Sequence, residues 1–225
     1  MATTVRASSI ATDAASSAVS VAAPTGTAAG DLVTVIVHVN VDTTTIADNN
    51  GSTPFDDDGS FTQTSGGARI TVFSRRIQTG DPSTYAFTLS GAVRWTAVAV
   101  TWQSPHASVI YDVVPAATGS AVNDTTGTAP DITTVNANAI HCAIFGADAS
   151  ANTITGTPTG YTVQENGGVN QNTAFTYKVI ASPGATGAQT FTQTASDGWL
   201  GVSFAIRDVG GATSILRQMM MHHGG

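Results

Sequence analysis

Charge is what this sequence has least of. Only 10% of its 225 residues are Asp, Glu, Lys or Arg, against about 25% in ordinary soluble proteins. Thr, Ala, Ser, Gly and Asn fill the gap, a balance that suits strands with uncharged polar outer faces. Eight Lys and Arg against fifteen Asp and Glu leave a net charge of −7. That is the wrong sign to displace counterions from a nucleic acid, so nucleic-acid binding is excluded. Glutamate occurs once, as Glu165. Glycoside hydrolysis needs two carboxylates flanking the bond, and nothing in the spacing of the aspartates pairs them for that work. No Gly-x-Ser-x-Gly elbow and no Ser/His/Asp set tied together by context is present. The expectation is a protein that is not an enzyme and carries no cofactor.

Cysteine is nearly absent as well. Cys142 stands alone and cannot close an intramolecular disulfide; within Ala139-Ile-His-Cys-Ala-Ile-Phe145 it reads as a small buried hydrophobe. Long apolar runs are missing. The longest, Leu32 to Val41, is broken by Thr34, His38 and Asn40 and is far shorter than the ~20 residues of a bilayer-spanning helix, so no membrane partner is expected. Residues 1–10 hold no apolar h-region of a secretory signal. An extracellular-looking composition without an export route fits a protein made in the cytoplasm, assembled there and released by lysis, as a virion component is.

What is present is a second half laid out like the first. Pro54, Phe73, Phe87 and Trp95 lie 104 residues before Pro158, Tyr177, Phe191 and Trp199. The run from Thr71 to Trp95 aligns without a gap on Phe175 to Trp199, and upstream Asp31-Leu-Val-Thr-Val pairs with Asn138-Ala-Ile-His-Cys. Alternation marks strands at Val19–Ala23, Leu32–Val41, Arg69–Ile77, Thr84–Leu89 and Arg94–Trp102. In the second half it marks Asp131–Val135, Ala139–Gly146, Thr162–Glu165, Ala174–Ala181, Gln189–Thr194 and Trp199–Asp208. Asn49-Asn50-Gly51, Gly80-Asp81-Pro82, Pro183-Gly184 and Asp197-Gly198 read as chain reversals. The expected fold is all-β: a jelly-roll-like antiparallel β-sandwich built from two internally repeated halves, with an extended C-terminal tail. Residues 1–103 form the first half, 104–130 a connecting segment, 131–209 the second half and 210–225 a docking tail. Within the connector, Ser108-Val-Ile-Tyr-Asp-Val-Val114 is apolar enough for a strand.

Few motifs carry chemistry. Asp56-Asp57-Asp58-Gly59 is the only acidic run; three loop carboxylates suit Ca²⁺, but Pro54 stands where the EF-hand pattern needs an acid, and a solvated loop insertion is the simpler reading. His38 and His141 fall in strands at non-equivalent repeat positions, and His222-His223 lie in the tail, so no metal site is expected. Trp95, Trp102, Trp199, Tyr85 and Tyr161 suit core packing better than a sugar-stacking platform. The tail differs in kind: past a Val-Gly-Gly hinge, Ile215, Leu216, Met219, Met220 and Met221 offer flexible apolar anchors of the sort found at adaptable contact surfaces. They are the candidate partner-binding residues.

Gly30-Asp31-Leu32-Val33, Thr157-Pro-Thr-Gly-Tyr-Thr162, Thr176-Tyr-Lys178, Tyr85-Ala-Phe-Thr88 and Arg94-Trp-Thr-Ala-Val98 together resemble a degenerate β-sandwich repeat of tailed-phage virion proteins and some bacterial surface proteins. The likeness spans about residues 18–209, and the acidic residues after Pro54 depart from it. The ending Ile215-Leu-Arg-Gln-Met-Met-Met resembles short endings of phage structural proteins. The resemblance implies a virion role: a capsid decoration (cement) protein that binds and stabilises the outer head surface. Its partners would be the major capsid protein or other virion proteins, with homo-oligomers expected. The competing reading is a carbohydrate-binding tail-fibre or adhesin module.

Overall fold

Residues Leu32–Val39 set four valines on one face and Leu32, Thr34, Ile36 and His38 on the other. All eight are buried, so the strand has a core on each side. The computed structural model describes residues 2–63, 67–148, 152–168 and 171–209, and the two cores follow from how its sheets are arranged. The first half contributes β1 (Thr4–Ala22), β2 (Leu32–Val39), β3 (Ile46–Asp48), β4 (Asp56–Thr62), β5 (Arg69–Arg76) and β6 (Thr84–Gln103). They form one antiparallel sheet in the order β1-β6-β2-β5-β4, with β3 also on β6.

The second half contributes β7 (Tyr111–Ala129), β8 (Thr133–Thr134), β9 (Ala139–Ala147), β10 (Ile154–Gly156), β11 (Thr162–Gly167), β12 (Asn172–Ile180), β13 (Gly184–Ala185) and β14 (Gln189–Ile206). Here β14 pairs with β7, β9 and β10, and the sheet continues through β12 to β11. The two large sheets therefore share one strand order. The short strands β8 and β13 pair only with each other. No α-helix occurs among the described residues.

Each large sheet bends back over one of its own faces. Strands β1 and β6 run 19 and 20 residues, and register shifts between Asp13, Ser16 and Ala18 mark the bend. Bulges kink and twist a strand in this way. Past the bend, Val19, Val21, Tyr85, Phe87 and Leu89 pack onto Val33, Val35, Val37, Val39 and Phe73. The second half repeats the device: β14 shifts register around Asp197, and Phe191 stacks on Phe145 with ring centroids 5.1 Å apart. The opposite faces of the two sheets then meet. Leu32, Ile36, Val72, Val98, Val100 and Trp102 of the first pack against Ile140, Cys142, Ile144, Phe175, Val202 and Phe204 of the second. Trp102 lies 6.1 Å from Phe175 and edge-on to Tyr177.

Several expectations need correction. A jelly roll passes strands back and forth between its sheets, whereas β1–β6 complete one sheet before β7 opens the other, so the sandwich is two self-contained sheets face to face. Residues 104–130 are no simple connector: 111–129 form β7, paired with β14 along its length. Asp197-Gly198 bends a continuous strand, β14, rather than reversing the chain. The gapless alignment of Phe73 on Tyr177 also slips. Trp95 pairs with Val39 and Trp199 with Ala147; counting from there, Val35 matches Ala143, and their partners are Phe73 and Thr176. A one-residue slip exchanges faces, and indeed Phe73 faces its own half's core while Tyr177 packs against the inter-sheet core. By the same count Leu32 matches Ile140, one position beyond the expected Ala139.

That register places His38 opposite its own counterpart. His38 pairs with Thr96 and Ile70, Gly146 with Leu200 and Thr173, which makes Gly146 the matching residue of the second half. A Cβ on Gly146 would come within 2.5 Å of the His38 ring. The ring cannot turn aside freely, because Nδ1 lies 3.0 Å from Thr173 Oγ1 and Nε2 3.0 Å from Gln171 Nε2. Gly146→Ala is expected to destabilise the protein by about 1–3 kcal/mol through overpacking, and adding His38→Ala should recover part of the loss. Urea unfolding of the three variants checks this; equal losses in the single and double variants would contradict it.

Candidate functional site

One cluster of polar contacts lies at the pole of the body where β2 and β9 begin and β6 and β14 end. The backbone N–H of Thr3 donates to Asp208 Oδ1 at 2.6 Å, and its hydroxyl to the Ser104 carbonyl at 2.9 Å. Pro105 and Asp208 form an isolated antiparallel bridge, and Arg207 N donates to the Ile110 carbonyl at 2.9 Å. The start of the first sheet, the crossover between sheets and the end of the second are thus laced together. Arg76 adds a bond from its guanidinium to the His106 carbonyl.

On the first-half side of this pole, two ion pairs hold the loops between strands. Arg6 Nε lies 2.7 Å from Asp31 Oδ2. Arg75 Nη2 lies 2.9 Å from Asp81 Oδ2, with side chains only 5% and 6% exposed. The Arg75 guanidinium is also 4.7 Å from the Phe55 ring centroid and 5.4 Å from that of Tyr85, a cation–π arrangement strengthened by exclusion of water. Burial pushes the Tyr85 hydroxyl up to about 12. Open cavities of about 490 Å³ and 340 Å³ lie beside this group.

On the second-half side, buried His141 places Nδ1 2.5 Å from the Tyr161 hydroxyl, and Lys178 Nζ sits 5.6 Å from the Tyr161 ring centroid. Burial, with a smaller opposing contribution from Asp131, lowers His141 to about 4; it therefore stays neutral at physiological pH. Between the halves, Tyr111 donates to Asp58 Oδ2 at 2.7 Å and Ser8 to Glu165 Oε1 at 2.5 Å. These contacts tie β7 to β4 and β1 to β11.

The sequence-derived candidates fare unevenly. Asp56–Asp58 is not a loop insertion but the start of edge strand β4, with a bulge between Asp57 and Gly59. Asp56 and Asp57 are exposed, while Asp58 is partly buried and its carboxyl is raised chiefly by desolvation. Among the described residues no three His, Cys, Asp or Glu side chains converge as a metal would need. Trp95, Trp102 and Tyr85 are buried, and Trp199 and Tyr161 pack against the second half's own core, so these rings form no exposed stacking platform. Cys142 lies in the inter-sheet core, its thiol raised by burial. Ile215, Leu216, Met219, Met220, Met221 and His222-His223 lie outside the described residues.

Residues that sequence reasoning passed over are Arg75, Asp81, Tyr111 and Asp208. The Gly80-Asp81-Pro82 turn signal hid a buried carboxylate, and Asp208 was read only as a strand end. Comparison with protein-family models, with curated proteins and with solved structures finds no match.

The two buried histidines make the fold sensitive to acid. His38 is lowered to about 3 and His141 to about 4, each mainly by burial, while the unfolded chain titrates near the usual value of about 6.5. Between those limits the unfolded state binds more protons, so stability is complete above about pH 6.5 and is lost as the pH falls. The urea midpoint should drop between pH 6.5 and 4, and His141→Gln should flatten that limb. A limb of unchanged slope in the variant would contradict the assignment.

Proposed function

We propose that this chain is a phage virion structural protein, a capsid decoration protein that binds and stabilises the outer head surface. The observation that carries the reading is the pole where Thr3, Ser104 and Asp208 are clamped together, because the last described residues, 207–209, stand there. Residues 210–225 follow directly. Ile215, Leu216, Met219, Met220 and Met221 would then be presented from a rigid base onto the major capsid protein or a sister subunit. A body poor in charge, with two sheet cores and an apolar seam between them, supports a load-carrying surface role. The mechanism is mass action: a subunit that binds only the assembled lattice stabilises that lattice by its binding free energy.

The test is removal of residues 210–225. The truncated protein should keep its circular dichroism and melting temperature, yet its occupancy on purified particles should fall at least tenfold by quantitative mass spectrometry. Unchanged occupancy would overturn the proposed docking segment. Absence of the full-length chain from particles would overturn the virion reading itself.

A further inference from the structure

Glycine follows an aspartate or asparagine at four places in the chain: Asn50-Gly51, Asp58-Gly59, Asn166-Gly167 and Asp197-Gly198. Such dipeptides are chemically vulnerable, because the glycine N–H, unshielded by a side chain, can attack the side-chain carbonyl carbon of the residue before it. In an unfolded chain the asparagine sites react first, since at neutral pH an amide is a better electrophile than a carboxylate. The fold holds the four sites very differently.

Three of them are tied away from the reaction. Asn50 donates Nδ2 to Asp48 Oδ1 at 2.5 Å and to the Ala86 carbonyl at 2.8 Å, and its Oδ1 accepts from Ala86 N at 3.0 Å. Asn166 donates to the Ile154 carbonyl at 3.1 Å, and Gly167 is paired with Thr173 in the sheet. Asp58 accepts from the Tyr111 hydroxyl, while Gly59 N donates to Asp57 instead. Asp197 is different. The register of β14 passes from Asp197 to Trp199 without placing Gly198 against a neighbouring strand. The Gly198 N–H donates instead to Oδ1 of Asp197 itself, at 2.8 Å. The carboxyl carbon, one bond from that oxygen, is thereby held beside the nitrogen that would attack it. The surrounding backbone is fixed as well: the Asp197 carbonyl accepts from Gln193 Nε2 at 3.0 Å, and the Gly198 carbonyl from Asp148 N at 3.1 Å. Holding reacting atoms together removes the entropic cost of bringing them into contact.

We propose that Asp197-Gly198 is a modification site, at which the folded protein spontaneously forms a succinimide and then isoaspartate. The carboxylate takes one proton from solvent and Gly198 N bonds to the carboxyl carbon. One carboxyl oxygen leaves as water, with that proton and the amide proton. A second water then opens the ring. Attack at the side-chain carbonyl restores aspartate, whereas attack at the main-chain carbonyl leaves isoaspartate, the chain now running through the former side chain. The product adds one carbon to the main chain at the bend of β14, between Phe191 in the second half's own core and Leu200 in the seam. The change thus falls where the strand passes from one core to the other. It does not depend on the docking of residues 210–225.

Prolonged incubation of the full-length protein in neutral buffer made with heavy-oxygen water tests the site. Trypsin then releases residues 179–207, in which Asp197 is the only Asp or Asn. Each ring opening leaves a heavy oxygen on residue 197, and electron-transfer fragmentation separates isoaspartate from aspartate. The folded protein should show about tenfold more turnover at Asp197 than at Asn50 or Asn166. The same chain held unfolded in guanidinium should show the reverse order. Asp197→Glu keeps the carboxylate but would have to close a larger, slower ring, so it should abolish the label, with its fold checked by melting temperature. No label at Asp197, an asparagine site leading in the folded chain, or undiminished label in Asp197→Glu would each overturn the proposal. None of these results bears on particle occupancy, and hence on the virion reading.

Discussion

The apolar seam between the two sheets is the contact on which the rest of the molecule depends. Each half already has a core of its own, made by bending long strands back over one face. That solution leaves the other face of β2, β5 and β6, and of β9, β12 and β14, rich in Leu, Ile, Val, Phe and Trp. Burying each such side chain stabilises by about 1.5–3 kcal/mol, and neither half can bury that face alone. Among the described residues the partner sheet covers that face, which explains why all residues of β2 and β9 are buried. The seam also sets register. A one-residue slip of β2 would send Ile36 into the first half's own core and a valine into the seam, with His38 removed from Gly146.

Joining two sheets of the same order makes the seam nearly symmetrical: β1 lies beside β11 and β7 beside β4, each contact carrying one side-chain hydrogen bond to a carboxylate. Departures from that symmetry stand out against it. His38 occupies the space that Gly146 leaves open, because two matched histidines could not both fit there. Arg75 is buried where Lys178 is exposed. The loops at the crossover pole carry a short strand pair, β8 with β13, in the second half, where the first half joins its loops by single backbone hydrogen bonds such as Ala23 N to the Ser83 carbonyl and Gly30 N to the Ile77 carbonyl. Packing requires the first of these differences, and in the second the Arg75 guanidinium fills the space beside the Phe55 and Tyr85 rings. The strand order is thus shared, and the differences lie in individual side chains and in the loops at the crossover pole.

Much of the architecture could be read from the residues. Alternation in Leu32–Val41 and the apolar runs in Arg69–Ile77 and Ala139–Gly146 located the central strands to within a residue or two, and in the first of them valine recurs with period two. Leu200, Val202, Phe204 and Ile206 alternate along β14, and all four line the seam. Strands β1 and β7 were largely missed, since edge strands built of Ala, Ser and Thr bury little and show no hydrophobic period. Asp56–Asp58 was taken for a loop because three carboxylates argue against a strand; at an edge with a bulge, two of them simply face water. Tyr177 was matched to Phe73 by aromatic type, which cannot detect a one-residue slip between faces. The site around Arg75 was not legible at all. Asp81 lies only six residues on, but a buried ion pair looks no different in sequence from an exposed one, and nothing marks Phe55 or Tyr85 as its cover.

If the seam unites the halves, neither should unfold while the other persists, although each has its own core. Differential scanning calorimetry of the intact chain addresses this directly. The account predicts a single transition whose van't Hoff enthalpy equals the calorimetric enthalpy. Two resolved transitions, or a van't Hoff value near half the calorimetric one, would show that the halves are independent domains merely in contact.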